Sequence, residues 1–159
     1  MKKLLALAFV CSALSAQAGI GETKQQVEKR YGKPVQMEPD SKAPDIGESE
    51  EMYKWNNYMV VVTYVGGRSE LEMVWREDSK AILIAEIEDL LKFQGEGFKR
   101  VKVPDDKKSD TKQWETPKGD RAFYLRQRVT SKRNEYGLVI ESRKYRDLNA
   151  AKKKGSKAK

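Results

Sequence analysis

Tyr58-Met59-Val60-Val61-Val62-Thr63-Tyr64-Val65-Gly66-Gly67-Arg68-Ser69-Glu70-Leu71-Glu72-Met73-Val74-Trp75-Arg76 is the stretch that decides the fold. Its first eight residues are apolar on both parities: Tyr58, Val60, Val62 and Tyr64 on one side, Met59, Val61 and Val65 on the other. Side chains alternate across a strand, so this one predicts a central strand of a sheet covered on both faces. Gly66-Gly67 supplies the positive φ angles of a tight hairpin. In the next strand Ser69, Leu71, Met73 and Trp75 alternate with Glu70, Glu72 and Arg76, which predicts a buried apolar face and a solvated charged one. On this reading Trp75 is core, and Glu70 and Glu72 are surface.

Upstream, residues 51–55 form a strand that ends at Asn56-Asn57, a turn pair tolerant of positive φ. Thr23 and Gln26 are spaced as a capping box, Val27 and Tyr31 share a helical face, and Gly32 with Pro34 stops the helix. A helix this short must be held by packing. Between the two, residues 36–50 read as a mobile acidic loop. Downstream, Leu83, Ile87, Leu90 and Leu91 recur at helical spacing, which predicts a second helix over 79–93. A charged loop (99–110) follows, then Trp114, a hairpin over 121–129 and 136–142, and a short helical turn near Tyr145 and Leu148. The order is that of an α+β fold, an antiparallel sheet with packed helices. It reads either as two tandem α-β-β-β units (19–78 and 79–149) or as one sheet without repetition.

The chain opens with Lys2-Lys3, an apolar run from Leu4 to Leu14, and Ala16-Gln17-Ala18. That is the pattern of a secretory signal peptide (1–18), too short to span a bilayer. Cleavage after Ala18 leaves residues 19–159, exported to the periplasm or released. Cys11, the one cysteine, departs with the leader, and bulky Phe9 and Val10 before it do not suit lipid attachment. With no histidine in the chain and no cysteine after the leader, nucleophile–imidazole catalysis is excluded and zinc is not expected. No cofactor, metal or catalytic residue is predicted. The carboxylates Asp105, Asp106 and Asp110 read as solvated surface.

The formal charge of +8 is unevenly spread. The last ten residues hold Lys152, Lys153, Lys154, Lys157 and Lys159 without an acid, and 150–159 read as a disordered tail. Residues 19–98 carry 10 basic against 16 acidic side chains, and residues 99–149 carry 15 against 8. Such asymmetry implies a dipolar surface or self-complementary halves.

Gly21-Glu22-Thr23-Lys24-Gln25-Gln26-Val27-Glu28-Lys29-Arg30-Tyr31-Gly32-Lys33-Pro34 resembles the opening helix of the SmpA/OmlA (BamE-like) envelope proteins, whose pattern is Gly-x-Thr-x-x-Gln-Val, an apolar residue, then Gly-x-Pro. The resemblance implies a helix packed on a small antiparallel sheet and a non-catalytic, protein-binding scaffold in the envelope. The chain departs from the outer-membrane members in lacking their lipobox cysteine.

Two binding surfaces follow from the residues. Trp55 and Trp114 hold equivalent strand positions; they are either core or, if exposed, anchors for an envelope or extracellular protein. Tyr124, Arg126 and Arg128 alternate on one strand, with Arg143 and the tail nearby. This set suits an anionic polymer such as nucleic acid, polysaccharide or lipid head groups, or it is a basic strand that deters aggregation. The doubly apolar strand also demands cover for its second face, from the second unit or from a homodimer.

Overall fold

The computed structural model describes residues 19–36, 46–95, 97–102, 112–128 and 134–156; residues 1–18, 37–45 and 103–111, with Asp105, Asp106 and Asp110 among them, lie outside these. Helix α1 (Lys24–Tyr31) is capped as its sequence dictates. The Thr23 hydroxyl accepts the Gln26 N–H, Gln26 accepts the Thr23 N–H at 2.9 Å, and Gly32 closes the end with φ 92°. Val27 and Tyr31 are its buried residues. Strands β1 (Ser49–Trp55), β2 (Tyr58–Val65) and β3 (Arg68–Arg76) form an antiparallel meander. Asn56 (φ 52°), Gly66 and Gly67 take the left-handed turn conformations.

Helix α2 (Ile84–Phe93) is shorter than its periodicity predicts. Ser79 turns the chain at φ 58°, Ile82 donates its N–H to the Tyr124 hydroxyl, and Glu86 accepts the Leu83 N–H. The helix therefore starts after Leu83, whose side chain is exposed rather than in the apolar stripe. A short strand, β4 (Lys99–Val101), occupies part of the stretch read as a charged loop. It pairs with β5 (Lys112–Glu115), followed by β6 (Arg121–Arg128) and β7 (Asn134–Glu141). Helix α3 (Arg143–Ser156) closes the chain, so residues 150–156 are helical where the sequence reads as a disordered tail. Its six cations cluster at the two ends, Arg143, Lys144 and Arg146 at the first and Lys152, Lys153 and Lys154 near the last, where the helix dipole is negative and favours them.

The seven strands lie in one antiparallel sheet, in the order β1-β2-β3-β7-β6-β5-β4. An α-helix followed by a meander thus occurs twice, and the two meanders meet where β3 pairs with β7. That seam is four residue pairs long, against eight between β6 and β7.

The register fixes which face is core. Val60 lies opposite Val74, Val62 opposite Glu72, and Glu72 opposite Ile140, so these residues share the face on which α1 and α2 pack. Tyr53, Tyr64, Ile87, Leu91, Trp114 and Leu138 complete this core. From Glu72 to Trp75 the charged and apolar faces of β3 are therefore the reverse of the alternation reading, while Ser69 and Leu71, on either side of the register shift at Thr63/Tyr64, are buried as it expects. Glu72 is wholly buried, Glu70 is nearly so, and Met73 and Trp75 are half-buried on the opposite face.

Burial of Glu72 is possible because α1 supplies its counter-charge. Arg30 reaches both carboxylate oxygens, Tyr31 donates its hydroxyl to Glu72 at 2.8 Å, and Gln94 donates its amide. Arg30 Nη2 also lies 2.7 Å from Glu22, beyond good hydrogen-bond angles, and the Arg30 side chain is only 4% exposed. A buried carboxylate without such partners would cost several kcal/mol, on the order of its desolvation.

Candidate functional site

The sequence-predicted contact residues do not converge. Trp55 and Trp114 both sit on the helix-covered face, but on β1 and β5, five strand spacings or about 24 Å apart. Trp114 is 2% exposed and lines, with Leu91, Phe98 and Arg100, a hollow of about 520 Å³; it is a core residue, not an exposed anchor. Trp55 stacks on Phe93 with centroids 4.6 Å apart and on Tyr58, and meets Tyr31 edge-on. Tyr124 is buried too, its hydroxyl taken by Ile82 and its ring stacked on Tyr136. Burial pushes the Tyr124 hydroxyl above its ordinary pKa, and the Ile82 N–H opposes that in part. Arg126 and Arg128 pair across the hairpin with Tyr136 and Asn134; their side chains lie outside the described residues. Arg143 opens α3, where its N–H meets Asp120, and its side chain is exposed.

What the register does bring together is an apolar strip on the other face. Met59 lies opposite Trp75, Val61 opposite Met73, Met73 opposite Val139, and Val139 opposite Phe123. Met59, Met73, Trp75, Val139 and Phe123 are all half-buried, none belongs to the core cluster, and Leu125 is 37% exposed. The doubly apolar β2 that asks for two covers receives one from α1 and α2. Among the described residues α3 is the helix on the second side, and it has no buried residue of its own.

Helix α3 is moored at its first turns. Lys144 reaches the Glu70 carboxylate at 2.9 Å and the Val65 carbonyl, and Arg146 donates to the Gly119 carbonyl. Beside it runs a groove of about 480 Å³ with Phe123 in its floor and Arg121, Arg146, Asn149 and Lys153 along its walls. Among the described residues Glu141 is the one carboxylate that lines the groove. Burial raises its pKa, while Arg146 and Arg121 pull it down. The groove thus joins an aromatic floor to a mainly cationic wall. Sequence reasoning misses it because it assigns Trp75 to the core and reads 150–159, beyond a short helical turn near Tyr145 and Leu148, as a disordered tail.

Among the described residues no three His, Cys, Asp or Glu side chains converge to hold a metal ion, and no helix is long and apolar enough to cross a membrane. The Glu22–Arg30–Glu72 cluster is perturbed by burial but enclosed, and presents no face to a substrate. Comparison with protein-family models, with curated proteins and with solved structures found no match.

Proposed function

We propose that this protein is an exported, non-catalytic binding module that docks an apolar, acid-flanked segment of another envelope protein on the second face of its sheet, beside α3. The observation that carries this reading is the half-exposed strip Met59–Trp75–Met73–Val139–Phe123 bordered by a cationic helix. An apolar patch of adjacent large side chains rimmed by polar groups marks an interaction surface. The rim names the chemistry of the occupant: α3 carries Arg143, Lys144, Arg146, Lys152, Lys153 and Lys154 against Asp147 alone. Complementary charge steers encounter and fixes register, while the aromatic floor contributes affinity. The leader pattern and the likeness of residues 21–34 to BamE-like envelope proteins support the same setting.

A photo-crosslinking side chain at position 123 of the exported chain tests the reading. It should capture a protein through an acidic segment, and the same group at Leu83, exposed on the helix side, should not. Equal capture at both positions, or none at 123, would sink the proposal. Capture of a second copy of the chain would make the face a homodimer interface instead.

Helix α3 also supports a second reading, the binding of an anionic polymer. Displaced counterions would then make affinity fall steeply between about 50 and about 300 mM salt. An affinity that is flat over that range and abolished by Phe123→Asp belongs to the first reading.

A further inference from the structure

The side of α3 that faces the sheet is polar. Arg146, Asn149, Ala150 and Lys153 line the groove, and their spacing of i, i+3, i+4 and i+7 puts them on one side of the helix. A helix that packs on a sheet turns its apolar stripe toward it. Here Leu148 lies on the opposite side from Arg146, and it is 41% exposed. Helix α3 accordingly has no buried residue. The groove is a slot held open between a polar helix face and the sheet. Ala150, the smallest of the four side chains, leaves space that a longer one would fill.

The sheet supplies the other wall. Register directs Arg121, Phe123 and Glu141 to the same face, since Arg121 lies opposite Glu141 and Phe123 opposite Gln113 and Val139. Most of the charge in the slot is already matched. Arg121 donates through Nε to Glu115 at 3.2 Å. Arg146 gives Nη2 to the Gly119 carbonyl at 2.9 Å, and its Nη1 lies 3.9 Å from Glu141. Asn149 and Lys153 spend no hydrogen bond or ion pair on a described residue. What remains is one positive charge and one amide donor beside an aromatic ring. That is the complement of a single carboxylate carried next to an apolar group.

We propose that the slot under α3 seats one aspartate or glutamate side chain of the docked segment, with its carboxylate on Lys153 and Asn149 and the neighbouring apolar residue on Phe123. The proposal rests on the docking reading above and narrows it: α3 acts through one face, not through its total charge. It also gives Glu141 a part. As a second carboxylate in the slot, Glu141 opposes the incoming one and holds affinity down.

The probe is a short dye-labelled peptide with blocked ends and a Phe–Asp pair, titrated into the exported chain by fluorescence anisotropy. A dissociation constant on the order of 0.1–1 mM is expected for so small a contact, and no binding at about 10 mM overturns the slot. Ala150→Leu fills the space and should weaken binding at least about 10-fold by a steric clash. Lys153→Gln should weaken it about 3- to 5-fold, the worth of an exposed ion pair, and Lys29→Gln, the same charge change on α1, less than about 1.5-fold. Glu141→Gln should tighten binding about 2- to 5-fold by removing a like charge. Loosening by Glu141→Gln would overturn the proposal, and so would equal affinity for a peptide with Asn in place of Asp. If Ala150→Leu leaves binding unchanged while Phe123→Asp abolishes it, the slot is overturned and docking on the strip stands. If neither variant matters, both readings fall.

Discussion

Glu72→Ala would take from the Arg30 guanidinium its hydrogen-bonded carboxylate and leave it Glu22 at 2.7 Å, in a site that leaves its side chain 4% exposed. The expected loss is about 1.5–3 kcal/mol in urea unfolding, the worth of a buried hydrogen bond to a charged group. Arg30→Met with Glu72→Leu and Glu22→Gln should restore most of that loss; if the triple variant is no more stable than Glu72→Ala, the cost is not one of unmatched charge. Glu22 sets a pH dependence of opposite sense to the usual carboxylate. Its folded pKa is raised, by burial first, so the folded state holds the proton more tightly than the unfolded chain. Its stabilising contribution is therefore present below about pH 4.3 and is lost as pH rises to its raised folded value. The stability difference between the chain and its Glu22→Gln variant should narrow on acidification through that interval; a pH-independent difference would refute the assignment. None of this is visible in the alternation of β3. That pattern sends carboxylates to water, and the information that reverses it sits 42 residues away, in Arg30 on α1.

At the scale of elements, α3 is a 14-residue helix with no buried residue, moored near its start by Lys144 and Arg146. A helix of that length is marginal by itself, so its protection should be graded. Amide exchange is expected to slow from Gly155 back toward Arg146, and uniform protection along the helix would mean that it packs more closely than this. Local rules read some elements well. The Thr23–Gln26 cap, the Gly32 stop, the Asn56-Asn57 turn and the Gly66-Gly67 hairpin are all properties of neighbouring residues, and all are found. Elements that depend on distant partners were read less well. The first turn predicted for α2 is unwound by Ser79 and by the hydrogen bond from Ile82 to Tyr124. Strand β4 exists because β5 is there to pair with it, and its three residues carry no period of their own. Lysine-rich composition suggested disorder for 150–156, yet alanine, lysine and leucine are good helix formers once a first turn is fixed.

For the whole molecule, the two faces of the sheet should respond differently to truncation. Trp114→Ala empties a core position and should cost about 3–5 kcal/mol of stability. Phe123→Ser removes a half-exposed side chain and should cost no more than about 1.5 kcal/mol while abolishing partner capture. Denaturation curves beside binding assays would separate them; comparable destabilisation by both would mean that the second face is a closed core. The antiparallel order of the sheet was legible because each meander is local in sequence. The identity of the open face was not, because β2 is apolar on both sides and gives no preference. The four-pair seam between β3 and β7 has a consequence of its own. Antiparallel pairing of the last strand of one meander (β3) with the last strand of the other (β7) is the kind of contact that two like half-chains make about a two-fold axis. Covalent linkage turns that encounter from one governed by dilution into one held at an effective concentration on the order of millimolar, whatever the abundance of the protein.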